Sequence, residues 1–531
     1  MLKKTTVAEV EESRIDAICA DLNQWHQPGA AIGIAIGGSP VYRKAFGMAN
    51  SELPVPLSTT TKMRIGSITK HFASLAYLLL CEKGRAGIDD PIGRYLPELH
   101  PVSRRVTARQ LMAHISGLRD VFDICWQFSG IGHHVSSAEL LSLYRTIDDV
   151  NAPPGMQWNY NNGGYLMLSV AIERIANRSL EDVLEESIFK PIGMYDTCLR
   201  RFDTDFMRNA ATLHMPTAER GFEKSYLGTA LAGEGGMVST VDDMLLWMHH
   251  MDSPDIGTPE IWSTMKRAQT LRNGASTSYG LGLVSGHHRG LETIGHSGSV
   301  LAGSSDMLKV VSASLDIVVL VNRGDVFASS LTEKILDASL DSLGPPEVAK
   351  SSPQLTIGIF RSETTGRIIQ LLVKDGKQIA SVDGTEMPVT SDRFGVLRPA
   401  SIFSIIKQSI TVVGGTETPP KIIFDDFGNR DELTVMNPEE APNVLPITGR
   451  YRSDSTGTEV TIYSAEDRAS MMSVGRFGSI EYRLRYLTDG IWRSTSKSWI
   501  PWAGLLSFDS DDSGFHFTNL RTRALHFRRT H

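Results

Sequence analysis

Ser67-Ile68-Thr69-Lys70-His71-Phe72-Ala73-Ser74-Leu75-Ala76-Tyr77-Leu78-Leu79-Leu80 is the stretch on which the fold of this chain turns. Phe72, Leu75, Ala76, Leu78, Leu79 and Leu80 make a strongly apolar helix, and Gly84 stands where a left-handed residue would end it. Positions three apart on a helix share a face, so Ser67 and Lys70 lie side by side. A buried helix desolvates the Lys70 ammonium and lowers its pKa from the reference of about 10.4. A neutral amine beside a hydroxyl is a base beside a nucleophile. The helix N-terminus adds backbone N–H groups and a positive dipole end, with the Ser67 amide as one oxyanion donor. The plain alternative makes Ser67 an N-cap and Lys70 a surface lysine.

The spacing alone decides nothing, because random composition supplies about two SxxK matches in a chain of this length. Ser404 and Lys407 fall within Ile402 to Val413, which reads as a strand and would point them to opposite faces. Ser494 and Lys497 read as part of a Ser-rich loop.

Two later segments supply what the pair lacks. Pro153-Pro154-Gly155 turns the chain before Trp158-Asn159-Tyr160-Asn161-Asn162, which reads as a loop ahead of a helical run from Gly164. The Tyr160 phenol can relay a proton to a leaving group, and the Asn162 amide can bind a substrate carbonyl. His296-Ser297-Gly298-Ser299 follows a strand. Gly298 admits a close substrate backbone, the Ser299 amide offers a second oxyanion donor, and His296 is placed to assist proton transfer or orient the Tyr160 hydroxyl.

At 531 residues the chain exceeds one core and predicts about two to four domains. Hydrophobic residues at 41% and charged residues at 21% describe an ordinary globular protein. A net charge of −7 excludes a phosphate-neutralising nucleic-acid binder. The run Phe72 to Cys81 is about half a membrane span, the N-terminus lacks a secretory apolar core, and four scattered cysteines suit a reducing, cytoplasmic setting without a membrane. No HExxH, P-loop or strand-to-helix GxGxxG is present, and His133-His134, His249-His250 and His287-His288 lack a ligand pattern, so no cofactor and no metal are expected.

Residues 7 to 23 carry helical periodicity, Ala31 to Ile36 and Val41 to Phe46 read as a hairpin, and helical patterns dominate from about 67 to 250. Strands return at Leu291 to His296, Ser305 to Val311 and Leu315 to Asn322, which predicts an α+β fold with a helix-rich body inserted into one antiparallel sheet. After Gly344-Pro345-Pro346 the sequence is all-β, with turns at Asp375-Gly376 and Asp383-Gly384. Gly358-Ile359-Phe360-Arg361-Ser362-Glu363-Thr364-Thr365-Gly366 recurs in kind as Gly449-Arg450-Tyr451-Arg452-Ser453-Asp454-Ser455-Thr456-Gly457, which predicts two small antiparallel barrels. The expected domains are 1–345, 346–440 and 441–531, with Asn437 to Pro446 as a linker.

The order SxxK, YxN, HxG resembles the active-site motifs of the penicillin-recognising serine hydrolases, the family of DD-peptidases, class C β-lactamases and D-aminopeptidases. Leu111-Met112-Ala113-His114-Ile115-Ser116-Gly117-Leu118, Gly235-Gly236-Met237-Val238-Ser239-Thr240 and Tyr279-Gly280-Leu281-Gly282 are similar to its recurrent segments, and the resemblance covers about residues 10 to 340. It implies a β-lactamase-like catalytic domain and an acyl-enzyme on Ser67. The trailing barrels resemble the D-aminopeptidase branch, where a loop of the last barrel helps bind the substrate amine; the stretch read as comparable, Arg493 to Ser498, is cationic and has no carboxylate. The layout also resembles the linearised-microcystin hydrolases, which cut a linear peptide at a D-alanyl bond, and a cationic loop would suit such an acidic substrate. His296 stands where DD-peptidases and β-lactamases usually place a lysine, so those activities are not expected. The expected function is hydrolysis of amide bonds in D-residue-containing linear peptides, with a small peptide or amide as partner. A D-aminopeptidase or a broad carboxylesterase is the alternative, a non-turnover acylated sensor the second, and a homodimer is allowed.

Overall fold

The computed structural model of the chain describes residues 10–340, 357–392, 394–399, 408–414, 419–440, 446–465, 468–498 and 502–530. Strands β1 (Ala30–Ile36) and β2 (Ser39–Phe46) form the expected hairpin, turning on Gly37 and Gly38, whose φ of 57° and 79° suit residues without a Cβ. Far along the chain, β3 (Val284–His288), β4 (Leu291–Val300), β5 (Gly303–Val310) and β6 (Leu315–Val321) complete an antiparallel sheet in the order β3-β4-β5-β6-β1-β2. The N-terminal hairpin thus closes on the last strand, and everything between is an insertion.

Helix α1 (Glu12–Ile18) precedes the hairpin, α2 (Thr69–Glu82), α3 (Val121–Ser129), α4 (Asn162–Ala176) and α5 (Val241–His250) lie in the insertion, and α6 (Ala328–Ser339) follows β6. α1 is shorter than its periodicity suggested, giving way to a 3₁₀ turn at Ala20–Leu22. α5 and α6 both pack on β6, which is buried at every position, so its sequence Leu-Asp-Ile-Val-Val-Leu-Val lacks the alternation of a half-exposed strand. Its one charge, Asp316, is met by Lys309 at 2.6 Å. α2 is buried from Thr69 to Leu80, and each fully buried Leu or Phe contributes roughly 1.5–3 kcal/mol. Among the described residues no helix is long and apolar enough to cross a membrane.

Two closed eight-stranded antiparallel barrels follow, running from Gly358–Arg361 to Asn429–Val435 and from Gly449–Arg452 to Leu525–Arg529. The internal repeat is one turn used twice. Ser362 N donates to Arg367 O and Gly366 N to Ser362 O at 2.9 and 3.0 Å; Ser453 N and Gly457 N make the equivalent bonds to Thr458 O and Ser453 O, both at 2.9 Å. Gly366 and Gly457 hold φ of 69° and 70° there. Asp375-Gly376 and Asp383-Gly384 have positive φ at both residues, as tight hairpin turns require. Ser494 lies in the strand Ile491–Ser496, not in a loop, where its buried hydroxyl donates to Gly504 O. Ser404 and Lys407 lie outside the described residues.

The two barrels differ in how they meet the rest. The first keeps its own core around Phe360, Leu371, Ile410 and Phe424. The core of the second is continuous with that of the N-terminal body, through Phe128 of α3 against Phe517 and Phe527 at 5.0 and 5.4 Å between ring centroids. Among the described residues, Trp502 and Arg521 of the second barrel line the cavity beside Ser67.

Candidate active site

Ser67 sits in a 3₁₀ turn, Gly66–Ile68, that leads directly into α2. Its side chain caps nothing, so the N-cap reading fails; Thr69 Oγ1 holds the turn instead, donating to Gly66 O at 2.6 Å. The strand Met63–Arg64 pairs with Met237–Ser239, Ile65 N donates to Met237 O at 3.1 Å, and Met237 N to Thr69 Oγ1 at 3.2 Å. That is the work of the Gly235-Gly236-Met237 segment: it clamps the turn that carries Ser67.

Lys70 is wholly buried. Its Nζ donates to Asn162 Oδ1 at 2.8 Å and to the backbone oxygen of Glu234 at 2.6 Å, and lies 3.1 Å from Ser67 Oγ. Two of its three directions face oxygen acceptors, so in the neutral amine the lone pair is left for the Ser67 proton. Burial lowers its pKa from 10.5 to about 7, against the opposing charge of Glu234. The Ser67–Lys70 spacing also occurs on helical elements at Ser187–Lys190 and Ser263–Lys266. Lys190 there is an exposed partner of Glu185, and Lys266 donates to Met251 O. Helical register is therefore not enough; burial distinguishes Lys70.

Tyr160 is in the expected loop, but Asn162 is the first residue of α4, capped by Asn161, whose Oδ1 accepts from Gly164 N at 3.0 Å. The helix fixes the amide that holds Lys70. His114, at φ 60°, pins the loop: its Nδ1 accepts from Asn161 N at 3.1 Å, its carbonyl from Asn159 N at 2.8 Å, and its ring lies 4.2 Å from that of Tyr160. Burial raises the Tyr160 pKa, opposed by a hydrogen bond with Ser67, and Lys70 Nζ stands 4.7 Å from its ring centre.

β4 brings the third motif. An added Cβ on Gly298 would lie 2.0 Å from Ile65 O, so only glycine lets β4 pack on the Ser67 turn. An added Cβ on Gly66 would lie 2.7 Å from Ser299 N, which sets the Ser299 amide against the same turn. β3 pairs with β4 only up to Gly295, and Ser297 to Leu301 line the cavity. His296 is almost entirely buried, with Nε2 accepting from Tyr279 OH at 2.9 Å and Nδ1 donating to Ser297 O at 2.5 Å. Burial and the nearby Lys70 charge depress it to about 3, so it is neutral. It is not among the residues lining the cavity; its bonded phenol is Tyr279, from the Tyr279-Gly280-Leu281-Gly282 segment, which approaches α2 so closely that a Cβ on Gly282 would meet His71 Cα at 2.9 Å.

The cavity beside Ser67 measures about 320 Å³. Tyr160, Asn162 and Glu234 line it with polar groups and Trp126, Ile131, Leu227, Leu231 and Trp502 with apolar ones, the two indoles stacked at 6.0 Å. Arg521 enters from the second barrel, 5.3 Å from the Tyr160 ring centre. The stretch Arg493 to Ser498 is not the one that reaches the cavity: Arg493 binds Gly384 O and Glu386, and Lys497 binds Glu481. The one group of metal-ligating type among the described residues, Asp509, His516 and His526, lies on the second barrel and is not part of the cavity lining.

Sequence reasoning missed Glu234, Arg521 and the two tryptophans. Glu234 adjoined a segment already singled out; Arg521 and Trp502 carried no local signal. Glu234 is 2% exposed, accepts from Ala232 N at 2.5 Å, and burial raises its carboxyl. When ionised, it favours the protonated form of Lys70, with which it titrates as a coupled pair. Glu234→Gln is expected to lower the Lys70 pKa further and move the acid limb of kcat/KM to lower pH, which a pH–rate profile checks; a limb that stays put or moves up would contradict this.

The family model described as Beta-lactamase matches residues 15–340. A D-aminopeptidase of Gluconobacter oxydans is 25% identical over 439 residues, which is 82% of this chain and 81% of that protein. Among solved structures, the octameric penicillin-binding protein homologue from Pyrococcus abyssi shares the fold at TM-score 0.56 and 20% identity, over 88% of this chain and 98% of that one. The D-amino acid amidase from Ochrobactrum anthropi SV3 does so at TM-score 0.53 and 22% identity, over 62% and 99%. With its family model spanning well over half the sequence, the chain belongs to the Beta-lactamase family, as a serine hydrolase of its D-aminopeptidase branch.

Proposed function

We propose that this protein hydrolyses the amide bond that follows a D-residue, by acyl transfer through Ser67. The observation that carries the reading is the buried Lys70 amine, 3.1 Å from Ser67 Oγ and with its other directions taken by Asn162 and Glu234. Lys70 takes the Ser67 proton as Oγ attacks the carbonyl, and the oxyanion is held by the amides of Ser67 and Ser299. Tyr160 passes the proton to the leaving nitrogen, and water then releases the acyl group. Asn162 and Gly298 place the substrate, Asn162 through its amide and Gly298 through the close backbone it permits. His296 acts through Tyr279 as a positioning residue, since a neutral imidazole with so low a pKa is no general acid at neutral pH and its one N–H is engaged by Ser297 O.

The D-residue preference is supported by the D-aminopeptidase and D-amino acid amidase names of the relatives. Those names give no support to the narrower expectation of a microcystin substrate. The stacked indoles in the cavity wall favour a large apolar side chain on the substrate. The purified protein is expected to turn over D-phenylalanine amide with a kcat/KM at least about 10-fold above that of L-phenylalanine amide, a difference of about 1.4 kcal/mol in transition-state binding. Hydrolysis of short esters with no turnover of either amide would favour the carboxylesterase reading.

A further inference from the structure

Resting on the proposed acyl transfer at Ser67, we infer that Arg521 of the second barrel is the receptor for the α-carboxylate of the leaving residue, so that the preferred substrates are peptides with a free C-terminus next to the scissile bond.

Arg521 stands on the turn Asn519–Thr522, which is held independently of the arginine side chain. Asn519 Oδ1 accepts from Arg521 N and Thr522 N at 2.8 and 2.7 Å, while Asn519 Nδ2 and Thr522 Oγ1 donate to Asp123 of α3 at 3.0 and 2.6 Å. Asn151 Nδ2 donates to Arg521 O at 2.6 Å. The guanidinium is therefore delivered to the cavity by contacts that do not need it. Among the described residues one of its N–H groups is engaged, with Asp120 at 3.3 Å, and the side chain remains 27% exposed and lines the cavity. Asp120 fixes the orientation of the fork and leaves donors to spare. A guanidinium with spare parallel N–H groups matches a carboxylate in geometry as well as charge.

Its place relative to the reaction settles which carboxylate. The guanidinium lies over the ring of Tyr160, the group proposed to protonate the leaving nitrogen. The α-carboxylate of a leaving amino acid is two bonds from that nitrogen, which puts it within reach of a cation standing over the Tyr160 ring. The third motif offers no rival cation, because His296 is buried, hydrogen-bonded to Tyr279 and outside the cavity lining.

The test compares three substrates with one acyl residue: D-phenylalanine amide, D-phenylalanyl-alanine with a free C-terminus, and the same dipeptide as its C-terminal amide. The wild type is expected to favour the free acid over its amide by about 10-fold or more in kcat/KM, the size of a charge-assisted hydrogen-bond pair. Arg521→Gln is expected to bring that ratio close to one, and Arg521→Lys to an intermediate value. An arginine needed only to hold the turn would lower both rates and leave the ratio unchanged, which would overturn the inference, as would a wild-type ratio near one while D-phenylalanine amide is turned over. If no substrate of the three is cleaved, the acyl-transfer reading fails and takes this inference with it.

Discussion

Replacing Ser67 by alanine is expected to abolish turnover, with kcat falling by about 10⁴-fold or more, because no acyl-enzyme can form and only the oxyanion amides and substrate binding remain. The fold should survive the change. Ser67 itself is half-buried in its 3₁₀ turn, and the bond that holds the turn is made by Thr69 rather than by Ser67. Steady-state rates on a D-residue amide, together with an unaltered unfolding transition, separate chemical loss from structural loss.

Replacing Lys70 by methionine is the second large effect. Methionine fills the buried channel with a side chain of similar length but leaves Asn162 Oδ1 and the Glu234 carbonyl without the donor they now share. Loss of the general base predicts a fall in kcat/KM of about 10²- to 10⁴-fold. Removing a buried, partly neutral amine should cost less stability than removing a buried ion, because its low pKa already reflects unfavourable desolvation. The acid limb that titrates near neutrality in the wild type should vanish in the residual activity; a residual profile with the same limb would assign that proton to another group.

What the sequence made legible was local or periodic. The apolar run after Lys70 announced a buried helix, and Gly37-Gly38 and the Asp-Gly turns announced hairpins, because such residues are chosen by backbone geometry at the place where they stand. The nine-residue repeat announced two barrels for the same reason: one turn with a left-handed glycine is needed at the start of each. Ser67, Lys70, Tyr160 and Asn162 come together as expected, and the three recurrent segments prove to be the clamps around them. Gly298 carries its explanation in a clash that a Cβ would make with Ile65 O.

His296, Ser494 and Arg521 depend on contact between segments apart in the chain, whereas Asn162 turns on a local cap. His296 could be placed at a strand end, but its pairing with Tyr279 depended on where the Tyr279 segment crosses the sheet. For Asn162, the Gly-Gly pair after it suggests a helix start at Gly164, whereas the cap at Asn161 places Asn162 inside the helix. Ser494 looked like loop because serine and threonine dominate its neighbourhood, whereas closure of the barrel turns those small side chains inward. Arg521 is separated from Asp120 by 401 positions, and no periodicity or spacing marks such a pair.

The central claim is that Ser67 Oγ is the nucleophile activated by Lys70, and covalent labelling reads it most directly. The wild-type protein treated with a phosphonylating serine probe should gain one adduct by intact mass, and peptide mapping should place it on Ser67. Labelling should quicken as pH rises through neutrality, where the coupled Lys70–Glu234 pair gives up the proton that blocks the amine, and be lost in Ser67→Ala. An adduct on another residue, or undiminished labelling of Ser67→Ala, would contradict the account.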